Sequence, residues 1–144
     1  MVWNSLDKFR DAGLLIFRLG FGLGFIYYHG WSKLIAGPER WESLGGSMSR
    51  LGIEFWPTFW GFMMAFAESI GGIMIAAGFL FRPICLMLGF GMFVAWLGHV
   101  VSGNGTPAHA FKNMAVLLGA TLFGPGAYSV DAWLNRRRKP LSRP

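Results

Sequence analysis

The sequence is poor in charge. Asp, Glu, Lys and Arg make up 14% of its 144 residues, about half the share found in soluble domains. With a hydrophobic fraction of 53%, that leaves too little polar surface to cover the apolar mass of a water-soluble domain. The same hydrophobicity excludes an intrinsically disordered chain. Cysteine is nearly absent: Cys85 stands alone, which removes disulfide scaffolds and dithiol redox motifs. Acidic residues number 7 and form no cluster. Glycine is plentiful, at 21 residues, but lacks the three-residue period of collagen. No low-complexity segment and no convincing internal repeat interrupts the chain.

What is present is long apolar sequence. Four stretches stand out, over residues 12–34, 58–80, 84–101 and 109–127. Each is near the roughly 20 residues that cross about 30 Å of hydrocarbon. The fourth is the least apolar, and Gly124-Pro125-Gly126 should stop its helix near the interface. The first contains Arg18, His29 and Lys33 and is longer than a signal-peptide core, so it reads as a span. The expected fold is therefore all-α: an integral-membrane four-helix bundle forming a single domain over 1–144, with a basic tail over 132–144.

Orientation follows from Lys and Arg. An even number of spans puts both termini on one side. That side carries Lys8, Arg10, Arg82, Arg136, Arg137, Arg138, Lys139 and Arg143; the other carries only Arg40 and Arg50. Both termini are expected in the cytoplasm, with the tail as a topology anchor that is also compatible with anionic lipid. A nucleic-acid role is not expected, because no soluble fold accompanies the basic tail. The first loop, 35–57, holds Trp41, Phe55 and Trp56, which suit an interface, and a short surface helix is expected around 39–51.

Ionisable groups within a bilayer are costly and face a bundle interior or mark a site. Here they are Arg18, His29, Glu68, His99 and Lys112, with Lys33 and His109 near span ends. Counting Cα positions puts Arg18 roughly 9 Å and Glu68 roughly 15 Å into the core from opposite sides, about 6 Å apart in depth. An Arg18–Glu68 ion pair is expected, either as a functional element or as a simple pin between the first two helices. Arg18, Gly22, Phe25, His29 and Lys33 form one polar stripe at regular helical spacing. His29, His99 and Lys112 fall at similar depth near the outer surface. Together they predict an outward-facing pocket between the first, third and fourth helices, with Glu68 at its floor. His29 and His99 would exchange protons there near neutral pH. Lys33 and Lys112 would hold an anionic or carbonyl-bearing ligand, or else snorkel to the headgroups.

Two histidines at one depth meet the minimum for haem ligation, and His29, His99 and His109 would suit zinc or copper only if they converge. Core histidines more often hydrogen-bond than ligate, so no metal is expected, and no catalytic residue is assigned. The pairs Gly20/Gly24 and Gly72/Ala76 are read as close-packing sites. Met63, Met64, Met74, Met87 and Met92 are read as gap-fillers.

The motifs recur in a recognisable order. The first span ends in His29-Gly30-Trp31-Ser32-Lys33-Leu34. The second carries Glu68-Ser69-Ile70-Gly71-Gly72 and exits through Gly78-Phe79-Leu80-Phe81-Arg82. The third ends with His99, and the chain closes on Gly124-Pro125-Gly126-Ala127-Tyr128-Ser129-Val130-Asp131. This order, over 14–131, resembles the DoxX family of small bacterial membrane proteins. The resemblance implies a four-helix protein of the bacterial inner membrane. It also implies a link to respiratory or redox chemistry, since relatives are associated with thiosulfate:quinone oxidoreductase, quinol oxidase and thiol or oxidative-stress complexes.

Three functions compete on this reading. The first is a redox-associated subunit whose pocket takes a quinone as its candidate cofactor, with electrons from a membrane oxidoreductase partner. The second is a small transporter or binding protein for an anionic or lipidic molecule. The third is a scaffold that assembles an oxidoreductase complex through glycine-rich faces. All three place the chain in the lipid bilayer, and an oligomer is compatible with each.

Overall fold

A computed structural model describes residues 2–138, and the regular elements among them are all helical. After a 3-10 segment, Val2–Phe9, helix α1 runs Arg10–Phe25, widens into a π-turn at Ile26–Gly30 and resumes as α2, Trp31–Ile35. This continuous rod is roughly 39 Å long at about 1.5 Å per residue. Helix α3, Pro38–Gly45, passes into a 3-10 segment, Gly46–Leu51. Then come α4 (Pro57–Ala77), α5 (Phe81–Ser102), α6 (Pro107–Phe123) and α7 (Val130–Arg138).

Local chemistry sets these ends. Pro38, Pro57 and Pro107 open α3, α4 and α6, where a missing N–H costs nothing. Gly78 and Gly103 close α4 and α5 in the left-handed conformation. Gly124 follows α6 directly, as the Gly-Pro-Gly sequence predicts.

Helices α4 and α5, at 21 and 22 residues, are long and apolar enough to cross a membrane. Helix α6 has 17 residues, and α1 has 16 before its π-turn. One core joins these helices: Phe25 of α1, Ala67 and Ile75 of α4, Cys85 and Leu88 of α5, and Leu117 and Ala120 of α6. Their outward faces are also apolar. Ile16, Leu23, Ile73, Leu86, Leu118 and Leu122 are all exposed, which water would penalise and a hydrocarbon surround would not.

Helix α4 is the element against which α1, α3 and α5 pack, while α6 packs on α5. Glycine lets α1 approach it. A Cβ on Gly22 would strike the Gly72 carbonyl and Ala76, and one on Gly30 would stand 2.5 Å from the Glu68 backbone. A Cβ on Gly20 or Gly24, both expected at a packed interface, would instead meet no neighbouring element within 4 Å. The helical repeat turns them out of the contact that Gly22 and Gly30 make.

The expected surface helix around 39–51 exists as α3 and its 3-10 extension, but it folds back onto α4. A Cβ on Gly45 would overlap Pro57, and one on Gly61 would overlap Trp41. The indole of Trp41 also donates to the Lys33 carbonyl at 2.9 Å.

At the other end, α4 and α5 are joined by three residues. Leu80 takes φ 45°, a left-handed conformation that costs roughly 1–2 kcal/mol for a residue with a Cβ. Asp131 braces it. Its two carboxylate oxygens accept the N–H groups of Leu80 and Phe81, both at 3.0 Å, and its own N–H donates to the Gly78 carbonyl at 3.0 Å. Asp11 accepts the Ala127 N–H at 2.8 Å, so the 124–131 segment is tied to α1 as well. Residues 132–138 of the expected tail form most of α7; Lys139 and Arg143 lie outside the described residues.

The glycine contacts yield a direct expectation. Gly22→Ala and Gly30→Ala should each lower stability by on the order of 2 kcal/mol through overpacking. Gly20→Ala and Gly24→Ala should stay within about 0.5 kcal/mol of the parent. Denaturant titration of the four variants in one detergent measures this.

Candidate functional site

Side chains on a helix lean toward its N-terminus. That lean decides where the charges of the first rod arrive. Gly30 touches the backbone of Glu68, and Lys33 sits three residues further along. Its side chain reaches back and places Nζ 2.5 Å from Glu68 Oε2. Glu68 is fully buried at 1% exposure, and the Lys33 side chain is 23% exposed.

Arg18 leans the same way and therefore moves away from Glu68. Its guanidinium reaches the opposite end of α4, packs against Gly78 and donates from Nη2 to the Tyr128 carbonyl. The expected Arg18–Glu68 pair is thus replaced by Lys33–Glu68. Depth counted at Cα positions missed the lean of both long side chains. Gly78 supplies the room, since a Cβ there would collide with the guanidinium. Arg18 is wholly buried, and its Nε and Nη1 have no partner among the described residues.

The Lys33–Glu68 pair borders a cavity of about 360 Å³ between the α3 and 3-10 segment, α4 and α5. Four methionines line it: Met48, Met63, Met64 and Met87, with Phe59, Trp60 and Phe90 beside them. The polar groups at its wall are Lys33, Glu68 and Ser47. This volume falls in the range of small-molecule sites, which are mostly apolar with few polar anchors. Thioethers are flexible and polarisable, so such a wall adapts to a ligand's shape.

The cavity is not where the sequence reading put it. That pocket was expected between the first, third and fourth spans, lined by His29, His99 and Lys112. His29 instead lies tilted against Phe25 and meets His109 of α6 edge-on, with ring centroids 5.5 and 5.3 Å away. A π-turn at Ile26–Gly30 lies between α1 and α2, and around it His29 turns to His109 while Lys33 turns to Glu68. His99 turns onto the following loop, its Nδ1 2.9 Å from the Asn104 carbonyl, and closes the turn over Gly105. Lys112 is exposed and does not border the cavity. His109 is within 3.1 Å of the Asn113 side-chain amide.

Of the predicted residues, then, Lys33 meets Glu68 at the cavity and His29 meets His109 away from it, while Arg18, His99 and Lys112 join neither pair. The methionine wall escaped notice because gap-filling and cavity-lining methionines have the same sequence signature. The fold-back of 38–51 that closes the cavity had one readable sign, the small residues Gly45 and Gly61 opposite bulky Pro57 and Trp41.

Comparison with known proteins bears on this region. The sequence profile of the DoxX family matches residues 13–100, an interval that contains Lys33, Glu68 and the whole methionine wall. The chain is also 32% identical over 142 residues to inner membrane protein YqjF of Escherichia coli, covering 92% of this chain and 99% of that protein. No solved structure matches the chain.

Breaking one half of a buried ion pair strands the other charge, whereas replacing both with apolar groups is often tolerated. Lys33→Met alone should lower stability by on the order of 2–3 kcal/mol, the partial exposure of Lys33 moderating the loss. Lys33→Met with Glu68→Leu should recover most of it. A double-mutant cycle by denaturant unfolding in detergent gives the coupling directly.

Proposed function

The chain belongs to the DoxX family and is an inner-membrane protein, and on that premise we propose that it is a quinone-interacting, redox-associated subunit. The observation that carries the reading is the Lys33–Glu68 pair set in the wall of a largely apolar, methionine-lined cavity. A quinone needs such a site. Its ring and tail want apolar, polarisable contact, and its carbonyl oxygens want a hydrogen-bond donor. In this reading the Lys33 ammonium donates to one carbonyl, and Glu68 holds Lys33 in place and exchanges a proton. Reduction of a quinone to a quinol takes two electrons and two protons. A membrane oxidoreductase partner supplies the electrons, and this chain supplies the bound ring and the proton-handling pair. The pocket expected from His29, His99 and Lys112 has no part in this reading, since none of them borders the cavity.

The same proposal includes four membrane spans with both termini in the cytoplasm. The rod from Arg10 to Ile35 is long enough to span, and α6 at about 26 Å nearly so. Aromatic groups mark both ends. Phe55, Trp56, Phe59 and Trp60 cluster at the start of α4. Trp133 stands at the other end, under the Arg137 guanidinium at 3.9 Å. The excess of Lys and Arg lies at the Trp133 end, which the positive-inside rule assigns to the cytoplasm.

Orientation is testable through the lone cysteine. In a Cys85→Ser background, Ser43→Cys should react with a membrane-impermeant maleimide in intact spheroplasts, and Asn135→Cys only after lysis. The reverse pattern would invert the topology.

Quinone binding is testable by quenching of tryptophan fluorescence, since Trp60 borders the cavity. A short-chain ubiquinone or menaquinone should bind the parent protein in detergent. Glu68→Gln should weaken it by about tenfold, or roughly 1.4 kcal/mol, and Ala95→Phe, which fills the cavity, should abolish it. His99→Ala should leave it unchanged. Equal binding by all four proteins would contradict the reading. Retention of a lipid of another class at the same site, with no quinone affinity, would favour the binding-protein alternative.

A further inference from the structure

A second cavity, of about 600 Å³, opens at the end of the molecule remote from the Lys33–Glu68 pair. It lies between the α4–α5 turn, the bend at 125–126 and α7. Arg82, Asn135 and Arg138 border it, together with Phe79, Leu80 and Leu134.

The three arginines of α7 have different surroundings. Arg136 donates to the Ala127 carbonyl at 2.9 Å. Arg137 lies over the Trp133 ring. Arg138 faces the cavity. Across from it, Arg82 is held in place by Nε, which donates to the Thr121 carbonyl at 3.1 Å. Asp131 is the acidic group in the wall, and both its oxygens already accept backbone N–H groups. Behind it the buried Arg18 packs against Gly78, the residue whose carbonyl receives the Asp131 N–H. Two guanidinium groups at the wall, Arg82 and Arg138, face one committed carboxylate, which leaves the cavity net positive.

We propose that this cavity seats the phosphate of an anionic phospholipid. Arg82 and Arg138 are the paired cationic donors, and Asn135 is a neutral one. The apolar half of the wall is what favours a lipid over a soluble phosphate ester. Phe79 and Leu80 are 37% and 47% exposed and continue into the apolar outer surface, where acyl chains lie. The proposal is independent of the ligand assigned to the other cavity.

The test is native mass spectrometry of the full chain released from detergent containing phosphatidylglycerol, cardiolipin or phosphatidylcholine. The parent protein should retain phosphatidylglycerol and cardiolipin in preference to phosphatidylcholine. A basic group at a charged lipid surface contributes about fivefold in affinity, so Arg138→Gln should lose about that factor and Arg82→Gln with Arg138→Gln more. Arg40→Gln with Arg50→Gln removes the same charge from the opposite end and should change nothing. Arg138 makes no hydrogen bond among the described residues, so its variant keeps the test sound if Arg82→Gln misfolds. Equal retention of all three lipids would overturn the proposal, as would equal losses in the two double variants. Retention of free inorganic phosphate in lipid-free detergent at the affinity seen for phosphatidylglycerol would also overturn it, by making the ligand a soluble anion.

Discussion

A carboxylate in the middle of an apolar helix must find a cation or cease to be charged, because hydrocarbon offers it no water. Glu68 is that group here, and much of the architecture follows from supplying its partner. Lys33 reaches it only because Gly30 lets the first rod touch α4. The Lys33 carbonyl then anchors Trp41, and Trp41 fixes α3 against Gly61. With α3 so held, its 3-10 extension roofs a space that side chains do not fill. The cavity is a consequence of the pair and its supports, and the pair is the cavity's principal polar feature.

The other end of the molecule solves a different problem with the same means. Arg18 is wholly buried, and its guanidinium leans toward the turn that joins α4 to α5. There it bonds the Tyr128 carbonyl, while Asp131 holds the left-handed Leu80 through two backbone N–H groups. The Gly78–Arg82 and Gly124–Asp131 motifs, far apart in sequence, are two halves of one clasp. Their meeting in space has a mechanical basis in these contacts. At each end a buried charge and its partners set the helix contacts, and each end leaves a cavity beside them.

The sequence conveyed the gross plan well, because apolar runs, prolines at helix starts and glycines at helix ends act locally. The stretch 84–101 became Phe81–Ser102, and Gly124 ended α6 as expected. What failed was each inference that needed a direction in space. Cα depth pointed Arg18 at Glu68, although the lean of helical side chains sends it the other way. A regular helix put His29 and Lys33 on one stripe with one pocket to line, but His29 turns to His109 and Lys33 to Glu68, and nothing in Ile26–Gly30 announces the π-turn found there. Gly20 and Gly24 looked like the packing pair, but Gly22 and Gly30 face α4. The cavity was invisible for a similar reason: it depends on loop 35–57 folding back, a tertiary event with only glycine and proline as local traces.

The central claim is that the space beside Lys33 and Glu68 is where a quinone binds. Photolabelling with an azidoquinone, followed by peptide mapping of the purified protein, tests it most directly. The account predicts adducts on Met63, Met64 and Met87, suppressed by excess unlabelled quinone. Competable labelling confined to the His29–His109 side or to the loop closed by His99, with the methionine wall untouched, would contradict it.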